Sequence, residues 1–264
     1  MTALGAGVVA ALAWAAAVQA ADCPRKGTLG TSRVLHVDAA TTPRVGLKSF
    51  PQTLPLADHE VVLTFDDGPW PPTTPKVLAA LARECVHATF FLIGKPASEH
   101  PDLVRRIAAE GHTIGHHTWL HRSLMRIPPA ETTGEIDRGI AADEMALHDV
   151  ATTIPSTPFF RFPGLETTPA TLDLLQSRGI VVFSADLWAS DWNPMTPKAG
   201  IEADHRSAQN RPQGNHPVAR PQGANRGHAA GLFTLFARQS LSRGSCGAGR
   251  SQRRFQGGPL RAGS

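Results

Sequence analysis

Cysteine is scarce in this 264-residue chain: Cys23, Cys85 and Cys246 are all there is. Three cannot build a disulfide framework or a thiolate metal site. Cys85 closes an apolar helical stretch and reads as a small core hydrophobe, with no bridge expected. Neither G-x-G-x-x-G nor G-x-x-x-x-G-K-[ST] occurs, which removes the two common nucleotide cradles. Charge is missing from Gly7 to Ala17, and Val18-Gln19-Ala20 follows as a small-residue cleavage site. That run is too short for a membrane span, so residues 1–20 read as a secretory signal peptide. The mature chain is then periplasmic or secreted and keeps no stable membrane span. Lysine is absent from residues 199–264, which hold ten arginines and two acids, net +8; residues 1–198 hold 16 basic and 20 acidic residues, net −4. The overall charge of +4 therefore belongs to the tail, and the body has nothing to draw it to nucleic acid.

What is present begins at Glu60. Val61-Val62-Leu63-Thr64-Phe65 runs directly into Asp66-Asp67 and stops at Gly68-Pro69. A short apolar run bounded by Gly and Pro reads as a buried strand. Neighbouring side chains of a strand point to opposite faces. Asp66 and Asp67 can therefore serve one site only where the strand bends, and Gly68 permits a bend. The alternative is an acidic turn in which one Asp caps the next helix.

Downstream, strands and helices alternate. Helices are predicted at Lys76–Glu84, Pro101–Glu110 (with Gly111 as C-cap), Glu131–Val150 and Pro169–Arg178, and strands at Ala88–Ile93, Pro158–Phe162 and Ile180–Ser184. His112–His117 is a strand or loop, and residues 21–58 are an extended lead-in. Alternation of this kind implies parallel strands with crossover helices, a barrel or a doubly wound sheet. Active residues then sit at the C-terminal strand ends. Asp66, Asp67, Arg161 and Asp186 all follow strand-like runs.

The chain has 12 histidines, and His117 and His121 stand four apart. One helical turn would put both imidazoles on one face. Imidazole with carboxylate suits zinc. A His pair alone is often a polar surface turn; beside an Asp-Asp strand end, the metal reading is favoured.

With these stretches in view, the chain resembles the polysaccharide deacetylases of the NodB-homology type, a family of carbohydrate esterases. Thr64-Phe65-Asp66-Asp67-Gly68-Pro69 matches the family's first motif, and His117-Thr118-Trp119-Leu120-His121 its second. Arg161-Phe162-Pro163-Gly164 is similar to the third, and Asp186 through Asp191-Trp192 to a widely spaced fourth. The resemblance implies a distorted (β/α) barrel over residues 59–198. It implies a divalent metal, zinc first, held by Asp67, His117 and His121. Asp66 would be the general base, and Arg161 would orient Asp66 and keep it charged by pairing. Asp191 would support a leaving-group acid, and Trp192, Phe162 and Pro163 would line the substrate site. His112 and His116 fall outside the matched ligand positions and take supporting roles. The implied substrate is an amino-sugar polysaccharide or oligosaccharide such as peptidoglycan or chitin oligomers.

A fifth family motif, a strand L-x-H whose His protonates the leaving amine, has no match. Residues 199–264 are rich in Arg, Gly, Ser and Gln, so the barrel is expected to be incomplete at its C-terminus and this tail disordered. Read one base later, the codons for Asn215 to Arg220 permit the string I-I-L-L-H-D. A frameshift near Lys198 accounts for both the missing motif and the change in composition. Two other readings compete: a glycan-binding remnant without turnover, and an anion or nucleic-acid binder using the arginine-rich tail.

Overall fold

The computed structural model describes residues 27–57, 60–188 and, as backbone, 218–220. The signal-peptide, Asp191, Trp192 and most tail expectations lie outside those residues.

Every strand pair is parallel, and the strands form one sheet. In chain order they are β1 (Arg44–Val45), β2 (Val62–Asp66), β3 (Thr89–Leu92), β4 (Thr113–His116), β5 (Phe159–Phe160), β6 (Val181–Phe183), β7 (Leu187–Trp188) and β8 (Val218–Arg220). The spatial order is β1-β6-β5-β4-β3-β2-β8-β7. The helices are α1 (Thr74–Glu84), α2 (Gly94–Glu99), α3 (Pro101–Ala109), α4 (Pro129–His148) and α5 (Pro169–Ser177). Among the described residues the sheet curls without closing, with β1 and β7 at its two edges. This curled half-barrel is the distorted (β/α) barrel class expected from the sequence.

The helices form where apolar spacing and local chemistry agree. Val77, Leu78 and Leu81 give α1 one buried face. Val104 and Ile107 do the same for α3, and Gly111, at φ +83°, turns the chain out of it. In α5, Thr168 and Thr171 cap each other's backbone amides at the N-terminus. Strand alternation sorts the core into faces. Phe90 and Leu92 of β3 pack with Leu78, Leu81, Val104 and Ile107. Phe91, between them in sequence, joins Val45, Val181 and Phe183 on the opposite face. Burying each such side chain contributes roughly 1.5–3 kcal/mol.

Three findings differ from the sequence reading. Residues 21–58 are more than a lead-in: β1 pairs with Val182–Phe183, and Leu54 and Leu56 enter the core. A two-residue strand leaves no periodicity to detect. Cys85 is disulfide-bonded, so it is not a free core thiol. The other two cysteines, Cys23 and Cys246, lie outside the described residues. Finally, the tail supplies β8, which pairs with β2 (Val62↔Val218, Leu63↔Ala219) and with β7 (Leu187↔Ala219, Trp188↔Arg220). Backbone pairing needs only N–H and C=O groups, so a sequence without an apolar strand pattern can still supply it.

Candidate metal centre

The C-terminal ends of β2, β3 and β4 are laced together by backbone bonds. His117 N–H donates to Leu92 O at 2.8 Å, and Ile93 N–H to Gly68 O at 2.9 Å. Asp66 ends β2 inside the protein, 2% exposed, and Asp67 follows at φ 68°. The bend that sends the two acids to one site is therefore at Asp67 itself. Gly68, expected to supply it, has no positive φ. The short polar side chain of Asp is one of the few that tolerates the left-handed region.

His117 continues from β4 and is fully buried. Its Nδ1 is 2.6 Å from Arg161 O. A carbonyl can only accept, so Nδ1 carries the proton and Nε2 presents its lone pair to the site. His121 comes from a loop, not the helical turn considered above: Thr118 and His121 have φ of 67° and 58°. The spacing still works, and the two imidazole centroids lie 4.9 Å apart.

Asp67 Oδ1 is 3.1 Å from His121 Nε2 and 3.3 Å from His117 Nε2. None of these three buried atoms makes a hydrogen bond with suitable geometry. One ligand atom from each residue lies within 4.8 Å of the others. A carboxylate and two imidazole nitrogens facing one point, without hydrogen-bond geometry among them, is what a divalent ion requires. Burial alone would push the Asp67 carboxyl up; His117 and His121 outweigh it and hold it well below the ordinary carboxylate range. The site is open on one side, since the side chains of His121 and Asp67 are 36% and 26% exposed.

Beside this triad lies a buried ion pair. Arg161 Nη1 donates to Asp66 Oδ1 at 2.7 Å and to Thr64 Oγ1 at 2.7 Å. Nε and Nη2 donate to the carbonyls of Phe183 and Ser184. The guanidinium also stacks 4.2 Å over the Phe91 ring. A buried pair is costly unless its remaining donors are met, and here they are met by fixed backbone. Arg161 thereby locks one oxygen of Asp66. The other, Oδ2, lies 3.7 Å from His117 Nε2 at the edge of the ligand cluster.

The remaining expected residues separate. Phe162 is 1% exposed and packs edge-on against Phe160 at 4.9 Å, so its ring belongs to the core and not to a glycan-facing surface. Pro163 is also buried, opening a 3-10 turn. Asp186 is a structural clamp: its carboxylate accepts from Leu47 N–H and Thr53 Oγ1–H, both at 2.6 Å. His116 contacts Asp143 through Nδ1 at 2.7 Å. Its ring points away from the triad, as the next residue of a strand must. Sequence reasoning missed the carboxylate of Glu135, which accepts Leu120 N–H within the second motif.

Residues 54–183 match the family model described as polysaccharide deacetylase. Over these residues the chain is similar to that family, whose members are hydrolases acting on amide bonds. The chain is 36% identical over 150 residues to a peptidoglycan-N-acetylglucosamine deacetylase of Bacillus cereus, covering 57% of this chain and 50% of that protein. It is 50% identical over 78 residues to a chitooligosaccharide deacetylase of a Bradyrhizobium strain, covering 30% and 36% respectively. It thus spans half or less of the length of these relatives. The crystal structure of the Bc1960 peptidoglycan N-acetylglucosamine deacetylase shares the fold, with a TM-score of 0.64 and 23% identity over 78% of this chain and 90% of that one. Among the described residues, no helix is long and apolar enough to cross a membrane.

Proposed function

We propose that this protein is an extracytoplasmic, metal-dependent amidase that removes N-acetyl groups from N-acetylglucosamine units of a polysaccharide such as peptidoglycan or a chitin oligomer. The observation that carries this reading is the convergence of Asp67, His117 and His121 beside the Asp66–Arg161 pair. The carboxylate-diimidazole set suits zinc, which polarises an amide carbonyl and acidifies a water. Asp66 Oδ2, facing the ligand cluster, takes the proton from the attacking water. Arg161, through Oδ1, keeps that carboxylate from rotating away. Trp70 and Leu120 stand exposed on the loops that carry Asp67 and His121, and offer apolar surface to a sugar ring. The family resemblance assigns Trp192 to the acetyl pocket and Asp191 to support of the acid that protonates the leaving amine. Cleavage after residue 20 delivers the chain outside the cytoplasm, and a bridged Cys85 suits an oxidising compartment.

That acid is missing from the chain as written. β8 runs beside β2 at three residues whose shifted codons permit L-H-D, with the shifted His at position 219, opposite Leu63. This supports a displaced reading frame from about residue 198, with residues 59–198 the intact part of the domain. The absence of His from Val218–Arg220 favours a second reading for the written chain, a glycan-binding remnant of low turnover. The test is acetate release from a chitin oligomer by the written and the frame-restored chains. The restored chain should release acetate and the written one orders of magnitude less; acetate release by neither would remove the amidase reading.

A further inference from the structure

Helix α4 brings Glu135, Arg138 and Gly139 to one face, at the i, i+3, i+4 spacing of a helical stripe. All three meet the loop between the two ligating histidines. Glu135, 6% exposed, accepts Leu120 N–H through Oε2 at 2.8 Å. The Arg138 guanidinium lies 4.5 Å over the Trp119 ring. Gly139 lies so close under Thr118 that a Cβ there would stand 2.6 Å from Thr118 C and 2.7 Å from its O. From the other side, Gly94 and Lys95, at the start of α2, donate their N–H groups to Thr118 O and Trp119 O at 2.9 and 3.0 Å. Thr118 Oγ1 accepts His121 N–H at 3.0 Å.

This support is needed because Thr118 and His121 both occupy the left-handed region, which L-residues with a Cβ disfavour. A loop free to relax would leave it, and His121 Nε2 would swing off the point it shares with His117 Nε2 and Asp67 Oδ1. We infer that the α4 face of Glu135, Arg138 and Gly139 is a seat that holds residues 118–121 in their strained conformation and thereby sets the position of the metal ligand His121. Glu135 is a positioning residue: it touches the loop backbone and no ligand atom. The inference rests on reading Asp67, His117 and His121 as the metal ligands.

The measurement is zinc affinity of the full chain by competition titration, with thermal unfolding of the metal-stripped protein recorded alongside. Glu135→Ala should weaken zinc binding about 10–100-fold, the usual effect of losing a partner that orients a ligand. Glu135→Gln should stay within about threefold of the parent, because its amide oxygen still accepts the Leu120 N–H. Should Glu135→Ala fail to fold, Arg138→Ala, an exposed position, reports on the same seat with an expected loss of about two- to fivefold. Parent-like zinc affinity in a folded Glu135→Ala, or in Arg138→Ala where Glu135→Ala does not fold, would overturn the seat and leave the metal site standing. A parent chain that binds no zinc would sink both.

Discussion

Asp66 and Asp67 are chain neighbours held in different environments. Asp66 is tied to Arg161 inside the protein, whereas Asp67 turns through a left-handed residue to face two imidazoles. These environments suit separate tasks. Asp66→Asn should keep the metal yet lose about 10²–10⁴ in turnover, measured as acetate release, because only proton abstraction is removed. His112 supplies a second prediction at this scale. Burial, then the nearby charge of His87, lowers its pKa from 6.5 to about 4, against a smaller opposing effect of Glu110. Its Nδ1 accepts Ala88 N–H at 3.2 Å, a bond that only an unprotonated Nδ1 can make. Between pH 6.5 and about 4 the unfolded chain holds the proton and the folded chain does not. Stability from this residue is therefore complete above pH 6.5, falls as pH drops through that window, and is level below about 4. Unfolding midpoints should fall more steeply there for the parent than for His112→Gln; parallel profiles would contradict the assignment.

The elements hold the site by close approach. Gly115, in β4, lies where a Cβ would meet the Phe91 ring at 2.7 Å and Phe159 O at 3.1 Å. Gly115→Ala should cost about 1–3 kcal/mol by overpacking, read as a lower unfolding midpoint; an unchanged midpoint would show that β3 and β5 yield freely. Much at this scale was legible beforehand. The β2 run, the apolar faces of α1, α3 and α4, and Gly111 as the end of α3 all follow from local pattern. The convergence of His117 and His121 was suggested by their spacing, although the turn that unites them is a strained loop and not a helix. Arg161 was legible as a strand-end residue, but its pairing with Asp66 only through resemblance, since nothing local distinguishes a surface Arg from one 0% exposed. The α4 seat and β1 were not legible. Their contacts join residues far apart in sequence, and a two-residue strand has no period. The bridge at Cys85 was missed because three cysteines give no pattern to read.

At the largest scale, the described residues form an open parallel sheet whose last strand, β8, comes from a tail of different composition. β8 shows that the tail reaches the sheet next to β2. An unclosed sheet presents strand edges, which favour association. The frame-restored chain should accordingly be more soluble than the written one and unfold with greater cooperativity. Equal solubility, cooperativity and turnover would make the tail a genuine part of the fold. Both forms share residues 1–198 and hence the same candidate ligands Asp67, His117 and His121, so equal metal content is expected of the two forms.

The measurement that reaches the central claim most directly is metal content per chain, by elemental analysis after dialysis, for the parent, Asp66→Asn and Asp67→Ala. The account predicts one divalent ion, zinc first, in the parent and in Asp66→Asn, and none in Asp67→Ala. Full occupancy in Asp67→Ala, or its loss in Asp66→Asn, would contradict it.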